Sequence, residues 1–185
     1  VQNVCSTPKP GDIKYRDITG DGVIDSDDRT MISEYGGMPR IQYGFGASFR
    51  YKKFDLGLFF NGSAKRTIMT GLMAPFGQND NNVFKFIADN HWSESNPNPN
   101  AKYPRLGLQT SETQNNSVAS TYWMRNGNFL RFKTLELGYT FNRGRIYLSG
   151  DNLAVFSPFK EWDPELAWNS YPLQRVFNVG IQLNF

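Results

Sequence analysis

The sequence predicts an all-β chain of antiparallel strands, and three observations predict it. Segments of about ten residues alternate apolar and polar side chains. Tight connections and long stretches rich in Asn, Gly, Ser and Pro join these segments in turn. No apolar run approaches the roughly 18 residues that a membrane-spanning helix needs. Side chains on a strand point to opposite faces with period two, so each segment carries one greasy face and one small polar face. Composition agrees: 15 Phe and 9 Tyr among 185 residues are a heavy aromatic load. The mean hydropathy is nevertheless −0.53, so the apolar residues are interleaved rather than clustered.

Residues 1–40 read as a loop segment, with turn formers at Thr7–Asp12, Asp17–Asp28 and Gly36–Pro39. From Ile41 to Tyr51 every odd position is apolar or aromatic and every even position is Gln, Gly, Ser or Arg. Lys52-Lys53 makes a turn, and Phe54, Leu56, Leu58 and Phe60 restart the alternation, which predicts a hairpin. Between Gly62 and about Asn128 the pattern dissolves, with short strand pieces expected near Thr67–Met73 and Ala119–Arg125. A structureless span this long is rare inside a compact soluble domain, whereas it is ordinary among the outer loops of a membrane barrel. Alternation returns at Leu135, Leu137, Tyr139 and Phe141. It turns at Asn142–Gly144 and continues through Ile146, Leu148 and Gly150. A loop is expected from Ala154 to about Leu173, then a last strand through Phe177, Val179, Ile181, Leu183 and Phe185.

Two architectures satisfy this pattern. In a transmembrane barrel the greasy face meets lipid and the Gly/Asn/Gln face meets a wet lumen. In an antiparallel sandwich the same face packs on a protein core, and the chain would be a secreted, calcium-containing glycan-binding module. Extraction separates them, since a barrel portion needs detergent and a sandwich does not.

The net charge of +3 and pI near 9.0 do not point to nucleic acid, because the basic residues are scattered in ones and twos without a stripe of stacking aromatics. Cys5 has no cysteine partner within the chain and says little about redox compartment. No signal peptide is visible and the chain opens on Val1, so a segment upstream is expected.

Several pieces of the sequence carry a resemblance. The run Pro10-Gly11-Asp12-Ile13-Lys14-Tyr15-Arg16-Asp17-Ile18-Thr19-Gly20-Asp21-Gly22-Val23-Ile24-Asp25 is followed by Pro39-Arg40-Ile41-Gln42-Tyr43-Gly44 and Tyr51-Lys52-Lys53-Phe54-Asp55-Leu56. Then come Trp123–Lys133, Leu137–Phe141, Ser149-Gly150-Asp151-Asn152-Leu153 and Asp163-Pro164-Glu165. In content and order these resemble the late part of SusC/RagA transporters, and a terminal aromatic such as Phe185 resembles an outer-membrane assembly signal. The resemblance implies the C-terminal strands of a large TonB-dependent outer-membrane barrel, with an external loop segment over 1–40 and barrel strands with long external loops over 41–185. It implies import of oligosaccharides or peptides, a SusD-like surface lipoprotein as partner, and no enzymatic step. The plug and the TonB-binding segment lie at the family's N-terminal end. Nothing in 1–185 is similar to them, so TonB is expected to act through a part outside this chain. Under this topology the turns at Lys52-Lys53 and Asn142–Gly144 are periplasmic, and 1–40, 62–128 and 154–173 are external.

The sharpest local motif spans Asp17 to Asp28. Asp17, Thr19, Asp21, Asp25 and Asp28 occupy positions 1, 3, 5, 9 and 12 of an EF-hand-type loop, with Gly22 at position 6 and the Val23 carbonyl at 7. Hard oxygen donors at this spacing suit Ca²⁺, and position 12 carries the shorter Asp where an EF-hand has Glu. Trp92, Trp123, Trp162 and Trp168 could stack on sugar rings, although an interface girdle or loop packing is the better account of such aromatics, girdles being a standing feature of barrels. Asp163 and Glu165 flank a proline, and nothing around them in sequence marks a glycosidase pair.

Overall fold

The computed structural model describes residues 2–4, 7–70, 82–107, 113–166 and 170–184. In chain order the strands are β1 (Ile41–Tyr51), β2 (Phe54–Ala64), β3 (Thr67–Met69), β4 (Met124–Asn126), β5 (Phe129–Phe141), β6 (Gly144–Phe156) and β7 (Val176–Leu183). Five of them form one sheet in the order β1-β2-β5-β6-β7, every neighbour antiparallel, and β3 pairs with β4. The fold is all-β, as the alternation predicts. Of the strand piece expected near 67–73, Thr67–Met69 form β3 and 71–73 lie outside the described residues; of that expected near 119–125 only Met124 and Arg125 are strand, in β4, and Thr121–Trp123 form a 3-10 turn.

Two-residue connections tie β1 to β2 and β5 to β6. Such turns need a positive φ, and Lys52 supplies one at +54°. Cross-strand pairs then carry each face across the whole sheet. Phe49, Leu56, Leu137, Leu148 and Val179 stand in one row, and Tyr51, Phe54, Tyr139, Ile146 and Ile181 in the next. Higher up, Phe45 stacks on Phe60 with ring centroids 5.3 Å apart, and Phe60 on Phe132 at 4.6 Å. The opposite face carries Gln42, Ser48, Asp55, Asn61, Glu136, Asn178 and Gln182.

Strand β5 begins six residues before its alternation is readable, because Lys133 is an extra residue. Phe60 pairs with Phe132 and Phe59 with Thr134, so Lys133 bulges out and the parity of β5 changes there. Strand β6 also outruns the expected loop boundary at Ala154, reaching Phe156, with Asn152 opposite the bulge in the left-handed region at φ +58°. Glycines on the polar face make room for large neighbours: a Cβ on Gly180 would fall 2.3 Å from the Tyr147 ring.

The apolar face is left uncovered. Phe49 is 59% exposed, Val179 74% and Ile181 64%. A sandwich would bury this face; a barrel turns it to lipid. Among the described residues the buried apolar cluster lies elsewhere, at Ile13, Ile87, Tyr103 and Trp123.

That cluster belongs to the first of two compact units, Val1–Glu34 with Met69–Met124, the second being Tyr35–Ile68 with Arg125–Phe185. Within the first unit the segment read as loop is organised by two buried asparagines. Asn116 Oδ1 accepts from Ile13 N–H at 2.8 Å, and Asn115 Nδ2 donates to the Ile13 carbonyl at 3.0 Å. The Trp123 indole N–H donates to the Asn116 carbonyl at 2.7 Å. These side-chain amides satisfy backbone groups that no strand partner reaches. A single helical turn, α1 (Lys85–Ala88), contributes Ile87 to the core.

The two faces set opposite tolerances. With the apolar face in lipid, Leu137→Arg in the full-length protein should cost about 2–4 kcal/mol near the membrane midplane and reduce the level of assembled protein, whereas Thr140→Arg should be mild. Equal tolerance, read as folded protein in detergent extracts, would mean the faces are assigned wrongly.

Candidate functional site

The polar face holds two arginine-centred clusters. Arg145, on β6, reaches across β5 to β2. Its Nε donates to Asp55 Oδ1 at 3.1 Å, and a terminal nitrogen lies 2.6 Å from Glu136 Oε1 and pairs with Asp55 Oδ2. Three strands are thereby tied by one guanidinium. Its counterpart, Arg131 on β5, is only 2% exposed.

Arg131 gathers the loop that follows β6. A terminal nitrogen contacts Asp163 Oδ1 at 2.5 Å, and Nε lies 2.8 Å from Glu165 Oε2, a charge pair whose angle departs from a linear hydrogen bond. Its other terminal nitrogen donates to Asn152 Oδ1 on β6. The Glu165 N–H donates to Asp163 Oδ1 at 2.9 Å, and Arg66 donates to the Pro164 carbonyl. So the Asp-Pro-Glu turn is pinned onto the sheet by ion pairs. Both carboxylates serve Arg131, which is a structural task and no acid–base arrangement. Nothing in the spacing of Asp163 and Glu165 pointed to Arg131; the signal available was a cation on the polar row of a strand.

The predicted metal loop is closed by its own backbone. Asp28 Oδ1 accepts from Ile18 N–H at 2.7 Å and Thr19 N–H at 3.0 Å, and Oδ2 from Asp25 N–H at 3.0 Å. These bonds, the Thr19 N–H foremost, hold the Asp28 carboxyl below its ordinary value. Asp17 accepts from Gly20 N–H at 2.5 Å and Gly22 N–H at 2.9 Å, with φ of +79° and +84° at those glycines. Asp21 and Asp25 accept from Val23 and Asp27 N–H. The Thr19 hydroxyl lies 3.3 Å from both Asp17 Oδ1 and Asp28 Oδ1, which links positions 1, 3 and 12, and the side-chain donors are all hard oxygen. Among the described residues, however, no three Asp, Glu, His or Cys side chains stand close enough together to hold an ion. The loop fits calcium in chemistry and closure, and its carboxylates would have to draw inward.

The tryptophans are not brought to one place. Trp123 is 1% exposed in the core of the first unit and so offers no stacking surface. The Trp92 ring lies against Gly11, whose φ of +86° and missing Cβ admit it. Trp162 is half-buried in the second unit, and Trp168, like Phe185 and Cys5, lies outside the described residues. The lone His91 contacts the Ala88 carbonyl at 2.6 Å.

No protein-family model matches the chain. It is 28% identical over 202 residues to TonB-dependent receptor P3 of Formosa agariphila, covering 95% of this chain and 19% of that protein. It is likewise 28% identical to TonB-dependent receptor SusC of Bacteroides thetaiotaomicron, covering 96% and 18%. Among solved structures, the RagAB peptide transporter superposes with a TM-score of 0.61 at 25% identity, over 82% of this chain and 18% of that one. The chain is a SusC/RagA-like barrel portion. It spans less than a quarter of the length of the relatives it matches.

A SusC/RagA-like barrel resides in the outer membrane, and its relatives are transporters rather than enzymes. The exposed apolar rows suit a face turned to lipid, and the arginine clusters stand on the opposite face. Breaking the Arg131 cluster should free the loop it pins. Arg131→Ala leaves two carboxylates without their cation, a loss of about 3–5 kcal/mol. Limited proteolysis of the full-length protein should then cut within residues 157–166, and an unchanged cleavage pattern would show that the ion pairs do not hold the loop.

Proposed function

We propose that this chain forms part of the wall of a transporter that imports an oligosaccharide or a peptide across the outer membrane. Energy comes from TonB, acting through a part outside residues 1–185, and a SusD-like lipoprotein caps the external side. The observation that carries the reading is the match of nearly the whole chain to TonB-dependent receptors, joined to a sheet with one greasy and one polar face. Strands β1 and β7 each have one unpaired edge, and bare backbone groups in hydrocarbon cost several kcal/mol apiece, so further strands must continue the sheet. Transport here is binding and gating with no covalent step. The two-residue turns face the periplasm, and the Asp17–Asp28 loop and Asp163–Glu165 face outward.

The test is uptake of labelled oligosaccharides and peptides by cells carrying the full-length transporter, with and without TonB. Uptake should require both. Uptake indifferent to loss of TonB, or a full-length protein released without detergent, would sink the reading.

The external loop takes calcium in this proposal. Asp17, Asp21 and Asp28 supply carboxylates, Thr19 and Asp25 further oxygens and Val23 its carbonyl, and the ion orders the loop for docking of the SusD-like lipoprotein, with no covalent role. Purified full-length protein should contain calcium, and D17A/D21A should lose it while the strands survive. Absence of copurifying calcium at millimolar supply would reduce the motif to an acidic turn.

A further inference from the structure

On the polar face, where β1 enters the sheet and β2 leaves it, a groove of about 690 Å³ is lined by Gln42, Gly44, Phe59, Asn61 and Ser63. That volume is in the range of small-ligand sites. Two polar atoms in it have no partner. Ser63 is 3% exposed and its hydroxyl makes no hydrogen bond; Asn61 Oδ1 is likewise buried and unpaired. Buried polar atoms are almost always satisfied, so each such exception needs an explanation.

The Asn61 amide is held in one sense. Its Nδ2 donates to Glu165 Oε1 at 3.2 Å, and because a carboxylate can only accept, Oδ1 is the atom left for another donor. Glu165 is itself placed by Arg131 at 2.8 Å. The Arg131 cluster thus positions an acceptor.

Phe59 adds a flat apolar surface. It stands in the polar row of β2 yet is 44% exposed. One side of its ring rests on β1, where a Cβ at Gly44 would come within 3.1 Å and one at Gly46 within 3.3 Å. Nearly half of the residue remains exposed where it lines the groove, and an aromatic face carries negative potential that attracts polarised C–H groups.

Charge narrows the ligand. Arg131 is matched by Asp163 and Glu165, and the half-buried Arg66 completes a balance of two cations and two anions. Arg66 already gives its Nε proton to the Gly37 carbonyl at 2.7 Å and another to Pro164. Among the described residues that line the groove the charges therefore balance, which disfavours acidic sugars and peptide C-termini.

We propose that this groove is a subsite for a neutral sugar unit. The C–H face of the ring lies on Phe59, one hydroxyl donates to Asn61 Oδ1, and another exchanges a hydrogen bond with Ser63 Oγ. Glu165 is a positioning residue for Asn61. The assignment rests on the import reading and selects the saccharide within it.

The test is binding by the purified full-length transporter in detergent. The probes are cellohexaose, mannohexaose and xylohexaose, with hexa-alanine as the peptide. At least one hexasaccharide should bind, and S63A and N61A should each weaken it about three- to ten-fold. F59L, which keeps apolar bulk over the glycines but removes the flat ring, should weaken it about ten-fold. E165A should weaken it as N61A does, and combining the two should add nothing, which a merely structural Glu165 would not produce. Melting of S63A, N61A and F59L should match the parent, whereas E165A, which removes one carboxylate from the buried Arg131, melts lower and is read at a temperature where it is still folded. Binding of hexa-alanine alone, saccharide affinities indifferent to these variants, or S63A, N61A and F59L losing stability instead of affinity would overturn the subsite. TonB-dependent uptake would persist in those cases, so this failure is distinct from failure of the import reading.

Discussion

Neighbouring strands of the sheet hand each other their backbone N–H and C=O groups, and in hydrocarbon there is no second solvent to take them. This ladder constrains everything else in the second unit. It fixes which residues stand side by side, and with period two it fixes which face each side chain meets. The aromatic stack through Phe45, Phe60 and Phe132 follows from register alone. So does the placing of Arg145 within reach of two carboxylates on two other strands.

A polar face made by this rule would be a row of charges with nothing to neutralise them. The sheet meets the difficulty by pairing across strands near the hairpin ends and by drawing a loop onto itself at the other end. Asp163 and Glu165 are supplied by the chain after β6 to a cation on β5, and Asn61 on β2 is ordered as a result. Ion pairing, loop placement and amide orientation are one connected arrangement, so the loop cannot move without altering what β2 presents.

The sequence made the strands legible where side chains alternated without interruption, as in β1, β2 and the second half of β5. It hid the first half of β5, since one extra residue at Lys133 breaks the alternation that a reader follows. It also hid the first unit. Asn, Gly and Pro read as loop, but Asn115 and Asn116 are fully buried; their side chains hydrogen-bond Ile13, and the Asn116 backbone carbonyl accepts from Trp123, contacts that leave no periodic trace. Trp123, which sequence alone allows as a stacking residue, is for the same reason a core side chain. The Asp17–Asp28 run does close on itself, through hydrogen bonds local enough for its Asp and Gly spacing to show them. The Arg131 cluster was invisible, since its members are up to 34 positions apart and only the folded register brings them together.

The bulge at Lys133 has a meaning for inheritance. On its two sides the lipid-facing positions of β5 are of opposite parity: Leu130 and Phe132 before it, Leu135, Leu137 and Tyr139 after it. Remove that one residue and one half must invert, sending Arg131 into the bilayer or Leu137 into the lumen. A strand of this kind can drift widely in which residues it uses, but it cannot gain or lose a single one. Its length can change only in twos, while its letters are free.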